Sequence, residues 1–240
     1  LEFDGDDLAL LAAVVKRVAT ALERVRADAA PETLEATLRA LRAILRARQS
    51  HLLPASRRAF KAAVELGRRL GLTGEDAEVL AYVARVHDVG MLELDDGFLL
   101  SSRRWSQEER RDVELHPQAS VQMLRSIEFV PKVNEVILGH HEHWDGRGYP
   151  RGIAGEQIAL AARVLAVVDA WESMTTGRPY RDPLQEAEAM AELRRCAGTQ
   201  FDPRVVEEFE RLVSEESGAG SGLRVAAPGT TTAGRPDAVR

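Results

Sequence analysis

At 240 residues, 45% apolar and 29% charged, the chain has the make-up of an ordinary globular protein, with room for one full domain and flanking segments. Its formal charge of −6 argues against broad nucleic-acid or anionic-membrane binding, so no DNA, RNA or membrane partner is expected. No apolar run approaches the roughly 18 residues of a membrane span, and the single cysteine, Cys196, fits a reducing cytoplasm.

The chain begins at Leu1 rather than methionine, as expected of a fragment. Leu8, Leu11, Val15, Val18, Leu22 and Val25 are spaced 3, 4, 3, 4, 3, a heptad seam suited to a parallel coiled coil. After Ala29, Ala30 and Pro31, the leucines at 34, 38, 41 and 45 resume a 4, 3, 4 spacing. Residues 1–50 are therefore expected to form a connector of two helices that dimerises the chain; an amphipathic hairpin within one chain satisfies the same spacing. The opening FDGDDLALLAAVVKRVATALERVR resembles the closing helix of a GAF sensory domain, which implies a sensor upstream.

From Pro54 onward the periodicity is helical. Ala59, Phe60, Ala63, Val64, Leu66, Gly67 and Leu70 predict one helix, stopped at Gly71. Thr73 to Asp76 opens the next, which carries Val79, Leu80, Val83, Val86 and then the pair His87–Asp88. Ser106 with Glu109 predicts a capping box, on a helix running towards His116, with Pro117 beyond it. A helix over 133–138 precedes His140, and the apolar run 158–168 predicts a central buried helix ending in Asp169. Helices are expected over 183–197 and 203–213, each with a proline near its first turn, and a disordered tail over 214–240. Strand alternation is missing throughout. The fold class is all-α, with the globular domain at residues 51–213.

The densest stretch is HHEHWDGRGYPRG at residues 140–152, with three histidines and two acids before a glycine-rich turn stiffened by Pro150. Neighbouring side chains on a helix diverge by about 100°, so His140 and His141 are expected to serve two adjacent ions more easily than one. His87, Asp88, His116, His140, His141 and Asp169 together form a candidate metal-ligand set, since carboxylates are rarely buried unless paired or metal-bound. Cys196 is expected to be a buried small residue, and Glu142, Trp144 and Trp171 to support the site. The stretch 140–181 holds five acids and five basic residues, so it is neutral, and bound cations would make it positive.

His87–Gly90 (HDVG), His116–Pro117, the 140–152 loop, VVDAWESMTTGRPYR at 167–181 and GTQFDP at 198–203 resemble the HD-GYP family. The match spans about two-thirds of the chain. It implies an HD-domain-like helical bundle and a bacterial, metal-dependent phosphodiesterase that hydrolyses cyclic di-GMP to pGpG or GMP, acting in second-messenger signalling. Asp88 would bridge two metals, with His87 and Asp169 on one and His116, His140 and His141 on the other. His87 and Asp88 would be catalytic. Asp145, Gly146, Gly148, Tyr149 and Pro150 would shape the substrate loop, and Arg178 and Arg181 would contact phosphates or guanine. The nitrogen and oxygen ligands suit Fe or Mn, one or two ions, better than Ca or Mg.

The chain departs from the family at two positions. Ala55 stands where members carry a ligating histidine, and Met91 where they carry lysine. His51, one helical turn before Ala55, is a candidate replacement ligand. These changes leave a rival reading: an inactive module that binds the nucleotide or a GGDEF-type protein. Hydrolysis of another cyclic dinucleotide or phosphoester is the third.

Overall fold

In the computed structural model the structure describes residues 57–94, 96–99, 103, 105–124, 131–176 and 182–218. The heptad seam, the GAF-like opening, His51, Ala55, Arg178 and Arg181 lie outside these. Among the described residues there are helices and one isolated bridge, Ala197 to Phe201, and no strand.

The chain enters through α1 (Arg57–Arg69), which buries Ala59, Ala62, Ala63, Leu66 and Gly67 along one face. It stops where the sequence predicts. Gly71 takes φ 93°, a left-handed value open to glycine, and the Leu72 and Gly71 amides bond back to Gly67 and Arg68. Helix α2 (Gly74–Val83) follows, with Val79, Leu80 and Val83 buried. It is shorter than predicted, so Val86 and the His87–Asp88 pair lie on a turn rather than on the helix. A 3-10 turn (Val89–Glu93) and a short helix α3 (Asp96–Leu99) come next.

Helix α4 (Gln107–Glu114) carries the predicted capping box: Ser106 Oγ accepts from the Glu109 amide, and Glu109 reaches back to the Ser106 amide. This helix runs towards His116 as expected but stops at Glu114, and His116 is not part of it. His116 begins a separate helix, α5 (His116–Leu124), with Pro117 in the first turn, where the missing N–H costs nothing. Helix α6 is Pro131–Gly139, starting two residues before and ending one after the predicted 133–138.

The centre is α7 (Leu160–Thr176), buried on most of its circumference by Ala161, Ala162, Val164, Leu165, Val167, Val168 and Trp171. The prediction that it ends at Asp169 is overturned. Trp171 and Met174 continue the buried stripe, so the helix runs two further turns and Asp169 is internal to it. Helices α1, α2, α6, α8 (Glu186–Arg195) and α9 (Pro203–Gly218) pack around it. Trp171 meets Phe209 of α9 edge-to-face at 5.4 Å, and the Arg58 guanidinium lies 4.1 Å over the same indole. Helix α8 starts three residues after Pro183, not at it, and α9 runs past the expected boundary at Ser214 to Gly218.

Candidate metal centre

Asp88 sits on the turn between α2 and the 3-10 segment, and this turn is held from the side by α5. Ser120, fully buried, donates its hydroxyl to the His87 carbonyl at 2.6 Å and accepts the Gly90 amide at 2.8 Å. Gly90 has to be glycine for the two segments to meet: a Cβ there would fall 2.2 Å from the His116 carbonyl oxygen. Ser120 is absent from the sequence-based set. Its signal is its place one turn after His116 on the same helix face.

Four elements aim nitrogen or oxygen at one point. His116 Nε2 lies 3.3 Å and His140 Nε2 3.7 Å from Asp88 Oδ1, while His87 Nε2 lies 3.4 Å from Asp88 Oδ2 and 3.8 Å from Asp169 Oδ1. Asp169 comes from the middle of α7, which brings it into reach of His87. Two donor groups result, each with its atoms within 4.8 Å: Asp88 with His116, His140 and His141, and Asp88 with His87 and Asp169. This is the same partition that the family resemblance implies. His140 and His141 fall in one group, contrary to the expected divergence. Helix α6 ends at Gly139, so helical spacing no longer separates them, and their rings lie 4.0 Å apart.

The imidazoles are oriented from behind. Nδ1 of His87, His116 and His140 faces the carbonyl of Val83, Val113 and Ile137 at 3.3, 2.6 and 2.5 Å. Each ring therefore carries its proton on Nδ1 and turns the Nε2 lone pair towards Asp88. Lone pairs facing a carboxylate, and the His116 and His140 Nε2 atoms 3.3 Å apart, repel unless a cation or proton lies among them. His87 Nε2 is buried with no hydrogen-bond partner. These residues fit a bound transition metal.

With no cation bound, the two carboxylates favour a proton on His87 Nε2 in its place. Burial alone would lower His87, but Asp88 and Asp169 outweigh it and hold its pKa well above the usual imidazole range. Burial opposes ionisation of Asp88, yet His87, His116 and His140 hold its carboxyl well below the usual carboxylate range. Burial pushes His140 down; His141 is pushed down further by burial and by the two neighbouring imidazoles. The last two thus stay neutral, the form that ligates.

The glycine-rich loop is folded back on the cluster. Tyr149 stacks on His141 at 5.0 Å, and its amide bonds to the His141 carbonyl. Gly148 passes so close that a Cβ would lie 2.2 Å from the His143 nitrogen. Buried Glu142 accepts the Arg151 amide at 2.7 Å, tying the ends of the loop together, as a supporting residue should. Asp145 accepts the Arg147 amide, so its carboxylate is engaged within the loop, next to Gly146 at φ 82°. The Trp144 and Asp145 amides pair with the Gln200 and Thr199 carbonyls, which docks the GTQFDP segment against the loop. Arg163 of α7 anchors that segment through Asp202 at 2.6 Å. Met91, at the family's lysine position, is buried against Leu99 and serves packing. Cys196 is not buried as expected; it is partly exposed and lines a cavity beside the cluster.

Residues 39–205 match the HD domain family. The chain belongs to the HD-domain family. Among relatives it is 32% identical over 148 residues to the cyclic di-GMP phosphodiesterase response regulator RpfG of Xanthomonas campestris pv. campestris, covering 61% of this chain and 39% of that one. It is 30% identical over 144 residues to the 3'3'-cGAMP-specific phosphodiesterase 2 of Vibrio cholerae, covering 59% and 28%. Thus the chain spans about two fifths or less of the length of these relatives. The solved structure of Bd1817, an HDG"Y"P protein from Bdellovibrio bacteriovorus, superposes with a TM-score of 0.56 at 16% identity, over 88% of this chain and 66% of that one. The HD-GYP resemblance and the all-α class are borne out. No helix among the described residues is long and apolar enough to cross a membrane.

Proposed function

We propose that this HD domain hydrolyses the phosphodiester bonds of cyclic di-GMP, releasing pGpG or GMP. The observation that carries the proposal is the convergence of two nitrogen–oxygen donor groups on the shared carboxylate of Asp88. His87, Asp88 and Asp169 would hold one ion, and Asp88, His116, His140 and His141 a second. Bound Fe or Mn would neutralise charge at phosphorus and activate a water for in-line attack. The chain's own contribution is orientation: the Val83, Val113 and Ile137 carbonyls fix the tautomers, and Ser120 fixes the turn that bears His87 and Asp88. Tyr149 and the loop at 145–150 close one side of the site and shape the approach of the phosphodiester, with Arg178 and Arg181 as partners for phosphate or guanine. His51 is offered as the ligand that compensates for Ala55. A homodimer through the seam at Leu8 to Val25, a GGDEF-type partner and a cytoplasmic setting complete the proposal.

The test is elemental analysis of protein purified without chelators, with cyclic di-GMP turnover assayed on the same sample under Mn and under anaerobic Fe(II). Metal with turnover is the expected result. One ion or none, with the nucleotide bound but not hydrolysed, would make the domain a receptor.

A further inference from the structure

The two donor groups are not held alike. Behind His116 and His140 stand the carbonyls of Val113 and Ile137, bonded to their Nδ1 atoms at 2.6 and 2.5 Å. Those ligands are fixed by their own stretches of backbone. Asp169 shows no such bond among the described residues; its Oδ1 meets His87 Nε2 at 3.8 Å, beyond hydrogen-bond distance. Its place is therefore set by how α7 lies in the bundle. The group that contains it offers three residues, His87, Asp88 and Asp169, against four in the other, so a displaced ligand costs it more.

Two residues beyond Asp169, about 200° further round α7, stands the buried indole of Trp171. Phe209 of α9 meets it edge-to-face at 5.4 Å, and the Arg58 guanidinium lies 4.1 Å over its ring. Trp171 Nε1 is buried with no hydrogen-bond partner, so these neighbours, and no hydrogen bond, set the angle of the ring. Arg58 also donates through Nη2 to Glu186, the first residue of α8. Its side chain is 14% exposed, which keeps the cation over the ring largely out of water, where such contacts are strongest. One residue in the first turn of α1 thus clips α1, α7 and α8 together.

We infer, on the two-ion reading above, that Arg58 is a positioning residue for Asp169. By holding Trp171 it fixes the roll of α7, and through that roll it governs how tightly His87, Asp88 and Asp169 bind their ion. The group with His116, His140 and His141 does not depend on it. Ring and carboxylate stand on opposite sides of one helix, so a roll that moves the one moves the other. A cation–π contact corresponds to about 2- to 30-fold in an equilibrium constant, and that sets the scale of the effect. The sign is not a charge effect: removing the Arg58 charge would by itself favour a nearby cation.

The test is titration of the full chain and of Arg58→Met with Mn(II), following bound metal by equilibrium dialysis and the ion pair by electron paramagnetic resonance. The unmodified chain should take two Mn and show the exchange-coupled spectrum of a close pair. In Arg58→Met one site should weaken by about 2- to 30-fold while the other stays within about twofold. At intermediate Mn the coupled signal should then give way to the hyperfine spectrum of an isolated ion. Arg58→Lys keeps a cation over the indole and a donor for Glu186, and should restore the pair. Trp171→Phe repeats the test without a change of charge: the indole N–H has no partner to lose, the smaller ring leaves space between its neighbours, and the same selective loss is expected. Equal weakening of both sites, or two sites left intact, would show that Arg58 only holds the bundle together and would overturn the inference; where Arg58→Met does not fold, Trp171→Phe decides. An unmodified chain that saturates with one Mn would sink the two-ion reading and the inference with it. Cyclic di-GMP turnover is not the readout, so the phosphodiesterase reading stands or falls separately.

Discussion

Replacing Ser120 with alanine tests how the fold sets the geometry of the metal centre. The hydroxyl is the bond partner of both the His87 carbonyl and the Gly90 amide, at 2.6 and 2.8 Å, and Ser120 is fully buried. Alanine leaves one acceptor and one donor without a partner, where bulk water does not reach. Each orphaned group costs about 1–3 kcal/mol, so Ser120→Ala should lose about 2–6 kcal/mol. Against a typical total of about 5–15 kcal/mol that is a large fraction. Urea unfolding should show the midpoint falling with an unchanged slope, since the surface exposed on unfolding is the same. The released turn bears His87 and Asp88, so Mn content at fixed free Mn should fall as well. A loss below about 0.5 kcal/mol, the ordinary range for a surface change, would refute the reasoning. Unchanged Mn content in a destabilised variant would show that the turn is held by other means.

Gly90→Ala should damage the same junction by crowding, because the added Cβ would meet backbone atoms of His116 and Ser120 that cannot rotate away; unfolding should register at least the ~1–3 kcal/mol of an overpacked core. Asp88→Asn should remove metal from both donor groups together while circular dichroism stays helical, and loss of only one ion would disprove the shared role. Asp202→Ala breaks a buried pair with Arg163 and removes the acceptor of the Arg204 amide, so a loss of about 3–5 kcal/mol is expected in thermal or urea unfolding. Glu109, hydrogen-bonded first by Arg103 and then by the Ser106 amide, is held at a pKa of about 2. A depressed carboxylate stabilises the fold above its unfolded value near 4.5, and that contribution disappears as pH falls from about 4.5 to about 2. Glu109→Gln should therefore flatten the acid limb of the stability profile in that window, and an unaltered limb would contradict it. His51→Ala should lower metal content if this residue compensates for Ala55; unchanged content in a chain that binds two ions would remove His51 from the ligand set.

Helix existence was legible wherever an apolar period met a recognisable end. Gly71 after Leu70 and the Ser106–Glu109 box are such ends, and α1 stops and α4 starts as predicted. Errors came where an end signal was inferred from chemistry instead of from the backbone. Asp169 was taken to close α7 because a charge ended the apolar run, yet a cleft-facing carboxylate does not interrupt a helix whose other faces stay buried. The helix over Ser106 was expected to run towards His116, although Leu115 and Pro117 permit one helix to stop and another to begin. The ligand set itself was legible because paired histidines and acids near buried periods are costly to explain by packing alone.

Less legible was how the ligands converge, which depends on where α2 and α6 stop. On an uninterrupted helix His140 and His141 would point about 100° apart and could not share an ion easily. The helix stops at Gly139, and the next residues turn so that both rings face Asp88. Likewise α2 ends at Val83, and the i→i−4 bond from the His87 amide to Val83 together with Ser120 curls the His87–Asp88 turn into the same space. Sequence motifs record the side chains of such a site, while backbone terminations and a single hydroxyl from another helix bring them within 4.8 Å. It follows that substitutions at Gly90 and Ser120, which carry no ligand atom, should impair metal binding, and that substitutions on the exposed face of α4 should not.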